Sequence, residues 1–88
     1  MKAFKDLVFN PHPSDPNDDG IQAKLEFDNG YGVSVICTPF SYGGKSGLYE
    51  MAVFHDSELT YTTVLGDDVK GWLTEDEVTE LLKQIQEL

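Results

Sequence analysis

Residues 21–27 alternate apolar with polar positions: Ile21, Ala23, Leu25 and Phe27 are interleaved with Gln22, Lys24 and Glu26. A period of two is that of a β-strand with one buried and one wet face. Residues 31–37 repeat the pattern, with Tyr31, Val33, Val35 and Cys37 alternating with Gly32, Ser34 and Ile36. The parity of the intervening Asp28-Asn29-Gly30 decides how the two strands pair. A two-residue turn at Asn29-Gly30 would set Phe27 opposite Gly32 and Leu25 opposite Ser34, splitting the apolar residues between two faces. A three-residue loop sets Phe27 opposite Tyr31, Leu25 opposite Val33 and Ala23 opposite Val35. It keeps one face apolar and uses Gly30 as the left-handed residue that closes such loops. The three-residue loop is therefore expected.

The other elements are placed by the same reasoning. Leu7-Val8-Phe9 is short and apolar and is expected to be a first strand. Residues 10–20 carry three prolines among turn formers and form a loop. Residues 38–47 are a ten-residue connection carrying Phe40 and Tyr42. Residues 48–55 are nearly apolar on both sides and suit a central strand. Asp56-Ser57 turns the chain into a Thr- and Tyr-containing strand over 58–64. Residues 66–71 cross to a C-terminal helix whose start is marked twice. Thr74 with Glu77 is a capping box, and Leu73 with Val78 is the matching hydrophobic staple. Val78, Leu81, Leu82, Ile85 and Leu88 recur at helical spacing and predict a face docked on the sheet. Trp72, just before the cap, is expected to secure the helix from within the core. Phe40 and Tyr42 have two readings, folded back over the sheet, which so small a core slightly favours, or presented to a partner. The predicted architecture is α+β: one domain over residues 1–88, with an antiparallel four- to five-stranded meander over about 5–64. The amphipathic helix over about 74–87 packs on one face of that sheet.

Composition narrows the functional classes. Eighty-eight residues suit one small core, and sixteen Asp and Glu against six Lys leave a formal charge of −10. There is no arginine, so neither clustered positive charge nor guanidinium forks are present for a phosphate backbone. Direct nucleic-acid binding is not expected. The apolar runs are too short for a membrane span, and the first residues lack the apolar stretch of a signal peptide. A lone cysteine, Cys37, fits a buried structural thiol in a cytoplasmic protein.

Four motifs bear on chemistry. Asp15, Asn17, Asp19, Gly20 and Glu26 match the spacing of a calcium-binding loop, with oxygen ligands at alternate positions and a bidentate glutamate last. Prolines upstream and a strand downstream replace the helices such a loop needs, so the calcium module is an alternative rather than the leading reading. Seven acids, Asp67, Asp68, Glu75, Asp76, Glu77, Glu80 and Glu87, stand against two lysines in the last twenty-two residues. Acids in a first helical turn favour the helix dipole, and an acidic face also steers a basic partner or imitates nucleic acid. His55 and Asp56 form a His–Asp pair on paper, but adjacent strand residues point to opposite faces. Gly43-Gly44-Lys45-Ser46 lacks the spacing and the following helix of a phosphate loop. No reaction is named by these residues, no cofactor is expected, and an enzyme is not predicted.

Three segments, Asn29-Gly30-Tyr31-Gly32-Val33-Ser34-Val35, Gly47-Leu48-Tyr49-Glu50-Met51-Ala52-Val53 and Gly71-Trp72-Leu73-Thr74-Glu75-Asp76-Glu77-Val78, resemble a group of small acidic bacteriophage and prophage proteins. The resemblance runs from about Asp6 onward and rests on fold-forming motifs, with no active site to carry over. It implies expression in the cytoplasm of a bacterial host and, by analogy, action on a host or phage protein. The leading expectation is a non-enzymatic protein–protein interaction module. Phe40, Tyr42, Asp67, Asp68, Glu75, Asp76 and Glu80 are its candidate contacts, and a basic partner is one reading of the acids among them. The alternatives are the calcium module of Asp15, Asn17, Asp19 and Glu26, and a nucleic-acid mimic inhibiting a DNA-binding protein. A homo-oligomer joined through a sheet edge is also open.

Overall fold

The computed structural model describes residues 1–11, 20–56, 58–59 and 69–88. Among these residues, six strands form one antiparallel sheet with one α-helix against it: β1 (Asn10–Pro11), β2 (Ile21–Glu26), β3 (Tyr31–Cys37), β4 (Tyr49–His55), β5 (Glu58–Leu59), β6 (Val69–Leu73) and α1 (Glu75–Gln86). Strands β1 to β5 follow one another as a meander, and β6 pairs with β4. The fold is α+β, as the alternation and the capping box indicate.

The β2–β3 hairpin has the expected register. Ala23 faces Val35 and Leu25 faces Val33. The Phe27 N–H donates to the Tyr31 carbonyl at 2.8 Å, and Gly30 sits at φ 87°. One parity argument thus assigns every side chain of both strands to a face. Val33, Val35, Met51 and Val53 point to the core face, where Val78, Leu81, Leu82 and Ile85 of α1 meet them. Leu73 joins this cluster, as the staple requires. The cap closes in both directions: the Glu77 N–H donates to Thr74 Oγ1 at 3.2 Å, and the Thr74 N–H donates to Glu77 Oε1 at 3.0 Å.

Tertiary contacts change four expectations. Leu7-Val8-Phe9 is not a strand. Leu7 and Phe9 pack on the core while Val8 is exposed, and Phe4, Phe9 and Tyr49 bring their rings within 5.0–5.7 Å of one another. Aromatic packing holds this stretch without a ladder partner, and pairing begins only at Asn10 and Pro11. Residues 69–71, expected within a crossing, open β6, which lies along β4 beside the entry to the helix. Trp72 is 62% exposed rather than in the core, because a register shift in β6 turns it outward. Leu88 lies beyond the last helical turn and is exposed.

Polar contacts fasten the helix along its length and at its C-terminal end. Lys2 and Gln86 exchange two hydrogen bonds, each 2.9 Å, and the Phe4 N–H donates to Thr79 Oγ1 at 3.0 Å. Asn29 Nδ2 donates to the Ile85 carbonyl at 2.9 Å, while its Oδ1 accepts the Tyr31 N–H at 3.0 Å. The hairpin loop thereby adds a second donor to the Ile85 carbonyl, which also accepts the Leu88 N–H at 3.2 Å in the last turn.

Candidate functional site

The site is built where β3 ends, β4 begins and β6 runs into the helix cap. Residues 38–41 form a tight turn with Pro39 at its second position, where a fixed φ is favourable. The Ser41 N–H donates to the Thr38 carbonyl at 3.3 Å and to Thr38 Oγ1 at 3.0 Å. The Phe40 N–H also reaches Thr38 Oγ1, at 3.1 Å, and the Thr38 N–H donates to Ser41 Oγ at 2.9 Å. Two hydroxyls so tie down the turn whose third residue is Phe40. Its ring is 91% exposed at the apex.

The rest of the connection is pinned to β6 by backbone. The Trp72 N–H donates to the Tyr42 carbonyl at 3.1 Å. A Cβ on Gly71 would overlap the Tyr42 backbone and Cβ, and one on Gly43 would lie 2.9 Å from the Trp72 Cα. Only hydrogen atoms fit between these strands of backbone. Across from them, β6 gains one residue relative to β4: Tyr49 faces Leu73, but Met51 faces Lys70. This bulge holds Trp72 at φ 59°, a left-handed conformation costly for a bulky side chain. Such strain persists only where surrounding contacts impose it, and it collects at functional positions. Phe40, Tyr42 and Trp72 therefore stand on one end of the sheet, 91%, 62% and 62% exposed, on backbone that is closely held.

One carboxylate touches this loop, and two more open the helix that follows Trp72. Glu50 Oε1 accepts the Tyr42 N–H at 3.3 Å. Glu75 and Asp76 open the helix directly after Thr74 and are exposed. Burial pushes the Tyr49 hydroxyl above its ordinary pKa, with the charges of Glu75 and Cys37 adding to the rise. Glu77 moves the other way: the Thr74 backbone N–H holds its carboxyl below the usual range, helped by the Thr74 side chain, against an opposing desolvation and with a lesser contribution from Lys70.

Of the predicted contacts, Phe40 and Tyr42 are exposed rather than folded back, and they share this end of the molecule with Glu75 and Asp76. Glu80 is exposed one and a half turns further along α1. Asp67 and Asp68 lie outside the described residues, as do Asp15, Asn17 and Asp19 of the calcium motif. Glu26 is an exposed strand residue opposite Gly32. Among the described residues, no three His, Cys, Asp or Glu side chains gather as a metal site. Trp72 and Glu50 are members that sequence reasoning missed. The signal for Trp72 was Gly71 before it, since a glycine in a short strand marks a bulge or a close backbone approach.

Two other places hold polar groups. His55 Nδ1 lies 3.8 Å from Asp56 Oδ2, nearer than a shared strand would allow, because Asp56 leaves the strand at φ 52°. That distance is too long for a hydrogen bond, and Cys37 lies about 20 Å away at the other end of β3. A groove of about 470 Å³ runs over Gly32 between Glu26 and Phe54. Compared with protein-family models, curated proteins and solved structures, the chain matches none. No helix among the described residues is long and apolar enough to cross a membrane.

Proposed function

We propose that the protein is a non-enzymatic interaction module that docks a host or phage protein in a bacterial cell through Phe40, Tyr42 and Trp72. The observation that carries this reading is the exposure of three aromatic rings on backbone fixed by hydrogen bonds and glycine contacts. A small core gains most by burying large apolar side chains, so three left outside imply another use. Aromatic residues on a pre-ordered support are favoured interface anchors, because little conformational entropy remains to be lost on binding. The resemblance to small acidic phage proteins supplies the cellular setting.

The test is capture from bacterial lysate by the tagged full chain, wild type against Phe40→Ala/Tyr42→Ala. A stoichiometric partner held by the wild type and lost by the variant is expected. Melting should show the variant within about 0.5 kcal/mol of wild type, since both rings are exposed. Capture unaffected by the substitutions, or no stoichiometric partner, would remove the proposal.

A further inference from the structure

We infer that the segment this surface takes is cationic: a lysine- or arginine-bearing stretch of the partner whose charges lie over the aromatic rings and end on Glu50, Glu75 and Asp76. The inference rests on the interaction-module reading and names the chemistry of its partner. Aromatic faces carry negative quadrupole charge and attract ammonium and guanidinium groups, Trp most strongly. Here the tryptophan stands three residues before Glu75, and Glu50 accepts the backbone N–H of Tyr42. An apolar surface with a carboxylate rim complements an apolar and basic segment, and it opposes an acidic one. The cations nearby are Lys45 in the 44–46 turn and Lys70 in β6, two against the three carboxylates.

A second copy is the other natural occupant, and charge argues against it. Two copies joined through this face about a twofold axis would bring Glu50, Glu75 and Asp76 of each against the same acids of the other. Each chain also carries a formal charge of −10. A neutral apolar partner would gain nothing from the acidic rim. A cationic one is attracted before contact and paired after it.

Trp72 is the one tryptophan of the chain, so its emission reports on this surface alone. The experiment titrates the full chain at 50 mM salt with three nonapeptides: alternating Gly-Arg, alternating Gly-Lys and alternating Gly-Ser. The arginine peptide should shift Trp72 emission saturably, the lysine peptide more weakly, and the Gly-Ser peptide not at all. The variant Glu50→Gln/Glu75→Gln/Asp76→Asn keeps the tryptophan and should weaken binding about tenfold, as should 500 mM salt. Phe40→Ala, which also keeps the probe, should weaken it several-fold.

Four results would overturn the inference. The cationic peptides leave the emission unchanged. The Gly-Ser peptide binds as well as they do. The carboxylate substitutions make no difference. The free chain sediments as a dimer that separates on Phe40→Ala. If the lysate partner still depends on Phe40 and Tyr42 while the cationic peptides fail, the module stands and only its basic partner is lost. If both fail, the module reading falls with it.

Discussion

The two ends of the sheet use the same means to opposite effect. At the hairpin end, three residues close β2 onto β3, and the loop's polar atoms turn inward. Asn29 bonds both the Tyr31 N–H and the Ile85 carbonyl, and Tyr31 lies against His55 with ring centroids 4.4 Å apart. At the opposite end, eleven residues join β3 to β4, and their hydrogen bonds are just as local and close. There the order holds Phe40, Tyr42 and Trp72 outward instead of sealing the core. Rigidity is shared, and exposure is not. A loop ordered without burying its large side chains is ordered for something other than the stability of its own domain.

This contrast can be broken at either end. The largest effect is expected from Gly71→Ala. A methyl group there overlaps the Tyr42 Cβ, whose position the backbone fixes and no side-chain rotation moves, so the loop must separate from β6. A loss of about 1–3 kcal/mol is expected from denaturant unfolding. Amide spectra should change over 38–48 and 70–74 and stay unaltered around Asn29. Shifts spread evenly over both ends would show that the two regions are not independent.

At the hairpin end, Asn29→Ala removes both hydrogen bonds and should cost about 1–2 kcal/mol. Asn29→Asp is the sharper variant: it keeps an acceptor for the Tyr31 N–H but loses the donor to Ile85 and adds a negative charge at the helix C-terminus. It should be no more stable than Asn29→Ala at neutral pH and should recover partly on acidification. Both should leave the response of Trp72 to ligand intact.

The smallest effect concerns the helix cap beside the aromatic surface. Because folding lowers the Glu77 pKa, the cap contributes fully above the ordinary glutamate range, and its contribution disappears as pH falls through the lowered value. Glu77→Gln retains an acceptor for the Thr74 N–H and carries no proton-linked charge. Its melting midpoint should fall less than that of wild type between about pH 5 and pH 3. Parallel curves for the two proteins would show that the Thr74 contact does not set the Glu77 pKa.

Much of the scaffold was legible in the sequence. The parity of Asp28-Asn29-Gly30 assigned the faces of two strands, and Thr74 with Glu77 placed the helix start to the residue. Phe40 and Tyr42 are recognisable as candidates because they sit in a glycine-containing loop, but the size of the core favours folding them back over the sheet, and the structure exposes both. Trp72 was misjudged. Large aromatics before a helix usually pack inward, and Gly71 signals a bulge or close approach without showing which way it turns Trp72.

The sequence by itself determined whatever depends on neighbours in the chain: strand period, loop parity, the helix cap and the charge. Those features are decided by side-chain direction and hydrogen bonds within a few residues. Only the tertiary structure decided that 69–73 adds a strand beside β4, that its bulge turns Trp72 outward, and that the 38–48 connection lies against it. Each requires backbones some twenty to thirty residues apart to meet, and at Gly43 and Gly71 the missing side chain permits the approach. Such a fit is a property of two surfaces together and is encoded in neither segment alone.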